Sequence, residues 1–341
     1  MTARPRSGPA LGQLAASPAG TGRYAPLRDQ PVHESTEGWV IARPDDVAAA
    51  LASAALAVTV ALEASGAARL LQARMARFSE GAAHGHRRAL VQALLPDPAT
   101  VEWGAWSRTS ASLAGWRGRA DAMDLARRVP VAVLADALGI APEAVDAVTR
   151  LTGELCTVLA PQAGSGPATD GDATDGDAAA TALLAALGNR DDEERAVAAA
   201  SILCQARDAT AGLIGLALAA AARPPQATAA GLVERAQRSD PPVQCTRRTA
   251  AGPVTIGGVS IPAGAPVWVL LATADRGEPW PPATFGGGRH GCPGRLVAAA
   301  LARGVVGAVL GAGWRPVPGQ VPGYEPRSSL RIPLSVLMER S

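Results

Sequence analysis

The chain has 341 residues, of which 48% are hydrophobic, 18% charged and 3% aromatic, and its formal charge is +2. Lysine is absent, so all 32 basic residues are arginine; this excludes Schiff-base chemistry on a protein amine, a lysine-bearing phosphate loop and a lysine-activated serine. Acids and arginines are spread along the chain without a basic stripe, so nucleic acid is not an expected partner.

In chain order, the Arg-, Pro- and Gly-rich residues 1–23 read as a flexible arm with no apolar run of the secretory kind, ahead of a single domain over 24–341. A short strand is predicted over 38–44, followed by a helix over 46–56 that Asp45 or Asp46 caps. From about Ala67 to Gly188 apolar residues recur with the helical period, and Pro96, Pro130, Gly139 and Pro142 punctuate them. The Gly- and Asp-rich stretch 161–177 reads as a mobile loop without the glycine spacing or bidentate glutamate of a calcium loop.

Helices are predicted over 178–187, 191–222 and 227–238. Then the period changes to two, giving a hairpin over 253–262 and a buried strand over 265–274 that contains Trp268. A Gly/Pro loop over 276–294, a helix over 295–310 and short strands close the chain. The pattern is mainly α with a small β-rich lobe. The apolar run 209–222 is too short by itself to cross a bilayer. Cys156, Cys204, Cys245 and Cys292 form no Cys-x-x-Cys pair, which fits a reducing compartment. A soluble cytoplasmic protein is therefore expected, with no membrane association.

The segment with the most chemistry is Phe285-Gly286-Gly287-Gly288-Arg289-His290-Gly291-Cys292-Pro293-Gly294, whose cysteine falls just before an apolar helix. A helix N-terminus lowers a thiol pKa and suits a metal-ligating or nucleophilic sulfur. The nucleophile reading lacks the sequence context of cysteine proteases around Cys292. The dinucleotide reading of Gly286-x-Gly288-x-x-Gly291 lacks a clear preceding strand and an acid at the right distance. An inert cysteine in a glycine turn is the remaining alternative.

This segment resembles the Phe-x-x-Gly-x-x-x-Cys-x-Gly haem-binding loop of the bacterial cytochrome P-450 family. The resemblance implies that Cys292 is the axial thiolate ligand of haem iron, that haem b is the cofactor, and that Phe285, Gly288 and Gly294 shape the thiolate's surroundings. The stretch Gly81-Ala82-Ala83-His84-Gly85-His86-Arg87-Arg88 is similar to the family segment whose His-x-x-x-Arg holds a haem propionate, which implies His84 and Arg88. Two such cationic groups at i,i+4 repel unless an anion lies between them. Arg248 and His290 match the remaining propionate-binding positions, and the resemblance spans roughly residues 24–338.

Departures from the family pattern are equally specific. In Arg207-Asp208-Ala209-Thr210 the acid of the oxygen-binding groove is kept as Asp208, but Ala209 stands where a threonine usually follows; Thr210 is one step, about 100°, further round the helix. Arg207 is read as ion-paired or as a holder of a substrate carboxylate. Arg235 replaces the glutamate of the family's Glu-x-x-Arg pair and Arg238 keeps its arginine, which reads as loss of the buried ion network as a unit. The regions 159–191 and 276–285 are abbreviated, so the fold is expected to be truncated in the family's F/G and meander regions.

The resemblance implies a monooxygenase-like oxidoreductase acting on a small or medium apolar molecule in secondary metabolism, with dioxygen and a ferredoxin and ferredoxin reductase or a similar electron donor. Asp208 and Thr210 would line the distal groove. Two further readings follow from the departures: a peroxide-using or rearranging haem enzyme, and a catalytically degenerate haem-binding or recruitment protein.

Overall fold

The computed structural model describes residues 24–58, 66–159, 170–188, 192–221, 227–277, 281–327 and 329–340. The expected arm over 1–23 and the first part of the expected loop, 161–169, lie outside them.

Helices dominate. After a single turn over Ala25–Arg28, the longer helices in chain order are α1 (Pro44–Ala52), α2 (Ala67–Arg74), α3 (Gly81–Leu94), α4 (Pro98–Leu113), α5 (Ala122–Ala137), α6 (Val145–Leu159), α7 (Asp170–Leu187), α8 (Glu193–Ala220), α9 (Ala229–Ser239) and α10 (Arg295–Gly311). Side chains mark several starts. Asp97 accepts from the Ala99 and Thr100 N–H groups, Asp121 from Met123, Asp192 from Arg195, and Thr228 from Gly231, each satisfying donors that a helix N-terminus leaves free.

Two expectations are corrected. Helix α5 runs through Pro130, whose ring costs it a hydrogen bond; the proline lies among Val129, Val131, Ala132, Val133 and Leu134, all buried, and that packing outweighs the local penalty. Helix α7 begins at Asp170, so residues 170–177 of the expected loop are helical. Asp177 has a tertiary partner there: its carboxylate accepts the Ala68 N–H at 2.9 Å and so caps α2, which sequence spacing could not reveal.

Helix α8, about 42 Å long, is the axis of the molecule. It packs against α3, α5, α6, α7, α9 and α10. By length and composition it could cross a membrane, but 67% of its most apolar stretch is buried inside the fold, which makes it a core helix here. Met123, Leu134, Leu155, Leu183, Leu203 and Leu301 meet in the main core. Helices α4 and α10 cross so closely that a Cβ on Gly304 would stand 2.3 Å from the Glu102 carbonyl oxygen.

The β lobe is a five-stranded sheet of β1 (His33–Ser35), β2 (Gly38–Ile41), β3 (Leu56–Ala57), β5 (Cys245–Ala250) and β8 (Pro266–Leu270), in the order β1-β2-β8-β5-β3. Strand β2 runs parallel to β8, with Val40 opposite Trp268, and the other pairs are antiparallel. Strands β6 (Val254–Ile256) and β7 (Val259–Ile261) form the expected hairpin, while β4 (Arg119–Asp121), β9 (Arg315–Pro316) and β10 (Leu337–Glu339) form a third sheet against the helices. Ile41, Leu56, Ile261 and Val269 give the lobe its own core. The cysteine segment leaves this lobe and enters α10.

Candidate haem-thiolate site

Between the β lobe and α10 the chain makes two short turns, Ala283–Phe285 and Gly288–His290, before Gly294 opens α10. The Cys292 N–H donates to the Phe285 carbonyl at 2.9 Å, closing the loop on itself. Gly288 has φ +59°, and a Cβ on it would lie 2.2 Å from the Leu51 carbonyl oxygen, so only glycine lets the loop seat against the end of α1. Its role is backbone approach to α1.

Three cysteines, Cys156, Cys204 and Cys245, are buried, whereas Cys292 keeps accessible surface. Contrary to the expectation from its place before α10, the Cys292 thiol is pushed up from its ordinary pKa. Burial is the largest cause, opposed by a hydrogen bond from the Gly294 backbone and by the charges of Arg88, Arg77 and Arg295.

Around Cys292 the structure gathers cationic and imidazole groups from three separated segments. His84, one turn into α3, is 7% exposed, and its ring centroid lies 4.1 Å from that of His290. Arg248, from β5, is buried and donates to Thr246 Oγ1 at 2.6 Å and to the Arg247 carbonyl at 2.9 Å. Burial, then the charges of Arg77 and Arg289, lower its pKa to about 10. Burial, then the Arg88 charge, also lowers the His84 pKa. Arg77 was missed in the sequence because it belongs to no spacing motif; its charge acts on both Cys292 and Arg248.

Among the described residues a single carboxylate stands in this group. Glu80, just before α3, accepts from the Val58 N–H at 2.7 Å, and Arg289 clasps both of its oxygens at 3.0 and 3.2 Å. Arg289 also donates to the Ser53 and Leu56 carbonyls at 2.8 and 3.1 Å, so it ties β3, α1 and α3 to the cysteine loop. Burial pushes the Glu80 carboxyl up, but Arg289, the Val58 N–H and His290 outweigh it and hold the group at about 2.

One nitrogen is left over. His290 Nε2 is buried and lies 3.3 Å from Glu80 Oε1, its ionic neighbour, without an aligned hydrogen bond among the described residues. Burial lowers its ring pKa to about 4, with Glu80 opposing and His84 adding to the shift. An orphaned nitrogen beside Arg248, in a group of arginines with one carboxylate, fits an external acid such as a porphyrin propionate. Among the described residues no three His, Cys, Asp or Glu side chains come together as a metal site.

Asp208 and Thr210 form a second group, on α8. Asp208 is 8% and Thr210 1% exposed, while Ala209 between them keeps accessible surface. Arg207 Nη1 donates to Asp208 Oδ1 at 2.5 Å, and Arg327 Nη2 lies 3.7 Å from Oδ2. Arg207 is therefore ion-paired. The expected loss of the Glu-x-x-Arg network also needs correction: Arg238 is retained in ion pairs, donating to Asp275 Oδ1 at 2.8 Å and to Glu234 Oε1 at 3.3 Å. Asp275 lies just before the abbreviated segment, 37 positions from Arg238, so no local spacing marks it as a partner.

The whole architecture decides the fold. The chain matches the crystal structure of CalO2 with a TM-score of 0.82 at 22% identity, covering 100% of this chain and 99% of that one. The chain has the cytochrome P-450 fold. P450BioI, in complex with hexadec-9Z-enoic acid ligated acyl carrier protein, matches this cytochrome P-450 fold with a TM-score of 0.80 at 19% identity over 97% of this chain and 100% of that one. Mycobacterium marinum CYP268A2, in complex with pseudoionone, gives 0.77 at 20% identity over 99% and 100%. No protein-family model and no curated protein matches the sequence.

Proposed function

We propose that the protein is a haem-thiolate oxidoreductase of the monooxygenase type, with Cys292 as the axial ligand of haem b. The observation that carries this reading is the group of arginines and imidazoles around Cys292, in which the buried His290 Nε2 makes no aligned hydrogen bond. His84, Arg88, Arg248 and His290 would hold the propionates, and their charges would be offset by those carboxylates. Bound there, haem supplies iron-centred activation of an oxygen donor, with the thiolate favouring O–O cleavage. Phe285 and the Gly294 N–H would shield and hydrogen-bond the sulfur.

The substrate is a small or medium apolar molecule in a secondary-metabolic reaction, and a ferredoxin with its reductase supplies electrons. A cytoplasmic location accords with the free cysteines. The test is the carbon monoxide difference spectrum of the reduced protein produced with haem supplied. A long-wavelength Soret band in the wild type, lost in Cys292→Ser, is expected; the same spectrum in both would overturn the assignment.

One observation favours a second reading, peroxide-supported oxidation. Ala209 brings no hydroxyl to α8 at the usual threonine position, and the Asp208 carboxylate is engaged by Arg207 and Arg327. Proton delivery through Asp208 and Thr210 would require those ion pairs to open. Turnover with hydrogen peroxide exceeding that with dioxygen and a reductase supports this reading, and turnover that dioxygen with a reductase supports but peroxide never does rejects it.

A further inference from the structure

Two tryptophans stand on the outside of α4. Trp103 is 67% and Trp106 42% exposed, and their rings stack with centroids 5.1 Å apart and planes 15° from parallel. Single exposed apolar side chains are ordinary, but a stacked aromatic pair has the composition of a protein interface rather than of a solvated helix. The pair sits on a firm base. Trp106 lies beside α10, where a Cβ on Gly307 would be 4.0 Å from its ring, and Arg303 of α10 donates twice to Glu102 Oε2, at 3.0 and 2.6 Å.

At about 100° per residue, Ala99, Trp103, Trp106, Ser107, Ser110 and Ala114 fall in one stripe along the helix, and all but the partly buried Ser110 are exposed. None of them is charged. The two ionisable side chains within α4 lie to the sides of the stripe, where Glu102 pairs with Arg303 and Arg108 with Asp136. Further charge stands at the two ends of the helix. The Asp97 carboxylate caps its start, and beyond its end the exposed Arg117 folds back to donate to the Ala114 and Trp116 carbonyls at 2.7 and 2.8 Å.

We propose that this stripe is a homodimer interface, in which α4 packs antiparallel on α4 of a second copy across a two-fold axis between Trp106 and Ser107. Counting outward from that axis, Trp103 of one copy meets Ser110 of the other, Trp106 meets Ser107, and Ala99 meets Ala114, so each large ring faces a small side chain. The same antiparallel order brings Asp97 of each copy to Arg117 of the other, whereas a parallel order would set like charges together. A strongly charged partner would find no pairing group along the stripe. The proposal goes beyond the haem-thiolate reading and does not depend on it.

The experiment is sedimentation velocity of the full chain, produced with haem supplied, at concentrations spanning about 1 to 100 μM. A reversible equilibrium between monomer and dimer is expected. Trp103→Ser, at a position exposed enough to leave the fold intact, weakens the dimer about thirtyfold or more, the size of an interface hot spot. Ser107→Arg sets two like charges beside the axis and weakens it through a different residue. Arg117→Glu replaces attraction to Asp97 by repulsion and weakens the dimer about tenfold at low salt, with the difference shrinking as salt is added. A chain that stays monomeric throughout leaves the stripe to some other protein and overturns the proposal. A dimer that Trp103→Ser and Ser107→Arg leave unchanged places the contact elsewhere and overturns it as well, and an affinity that Arg117→Glu does not alter overturns the antiparallel arrangement.

Discussion

The Cys292 group and the Asp208 group are both rich in arginine, but they handle charge in opposite ways. Around Cys292, Arg77, Arg88, Arg248 and Arg289 gather near one carboxylate among the described residues, that of Glu80, which Arg289 clasps, and His290 Nε2 makes no aligned hydrogen bond there. Around Asp208 the acids nearly match the arginines and each carboxylate bridges two of them. Among the described residues, the first arrangement has three more arginines than carboxylates, whereas the second, in which Arg207, Arg327 and Arg127 face Asp208 and Glu325, is one negative charge short of balance.

Substitutions that remove a carboxylate sharpen the contrast. Asp208→Asn leaves Arg207 and Arg327 without their shared partner in a buried setting and is expected to cost about 3 kcal/mol in urea unfolding. An unchanged midpoint would mean that the network carries no stability. Gly288→Ala imposes a positive φ on a side chain and drives its Cβ into the Leu51 carbonyl, so a loss of about 2 kcal/mol is expected, together with weaker haem retention. Asp275→Asn weakens the 2.8 Å bond of Arg238 by about 1.5 kcal/mol, whereas Glu234→Gln, at a half-exposed helical pair, costs no more than about 0.5 kcal/mol. Equal losses from those two would show that Arg238 relies on the helical neighbour rather than on the tertiary one.

Acid pH probes the Glu80 clasp. Its folded pKa, about 2, lies below the ordinary 4.5, so the stability it contributes is present above about 4.5 and is lost as pH falls toward 2. The difference in unfolding midpoint between wild type and Glu80→Gln is therefore expected to be constant at neutral pH and to close between pH 4.5 and 2. A gap that stays constant down to pH 2 would remove the clasp from the account.

What the sequence disclosed, and what it hid, follows from distance along the chain. The cysteine loop was legible because its turns, glycines and following helix lie within a few residues of each other. The placing of His84 and Arg88 one turn apart on a helix was legible because helical periodicity sets their spacing. The helical class and the hairpin of β6 and β7 followed from periodicity. By contrast, Arg289 meets Glu80 across 209 positions, and Arg127 meets Glu325 across 198. No local pattern encodes such pairs, and the same holds for Asp275 with Arg238 and for Asp177 at the start of α2. Pro130 and residues 170–177 were misread because breaker residues were weighed without the packing that overrides them.

The Glu80–Arg289 clasp also sets an order in time. It joins Val58, the start of α3 and the cysteine loop, so it closes only after the β lobe and the helices have docked, and contacts of such long sequence separation are slow to form. The loop that presents Cys292 is then expected to be completed late in folding, and haem uptake, should Cys292 hold the iron as proposed, would serve as a stopwatch for the final step of assembly.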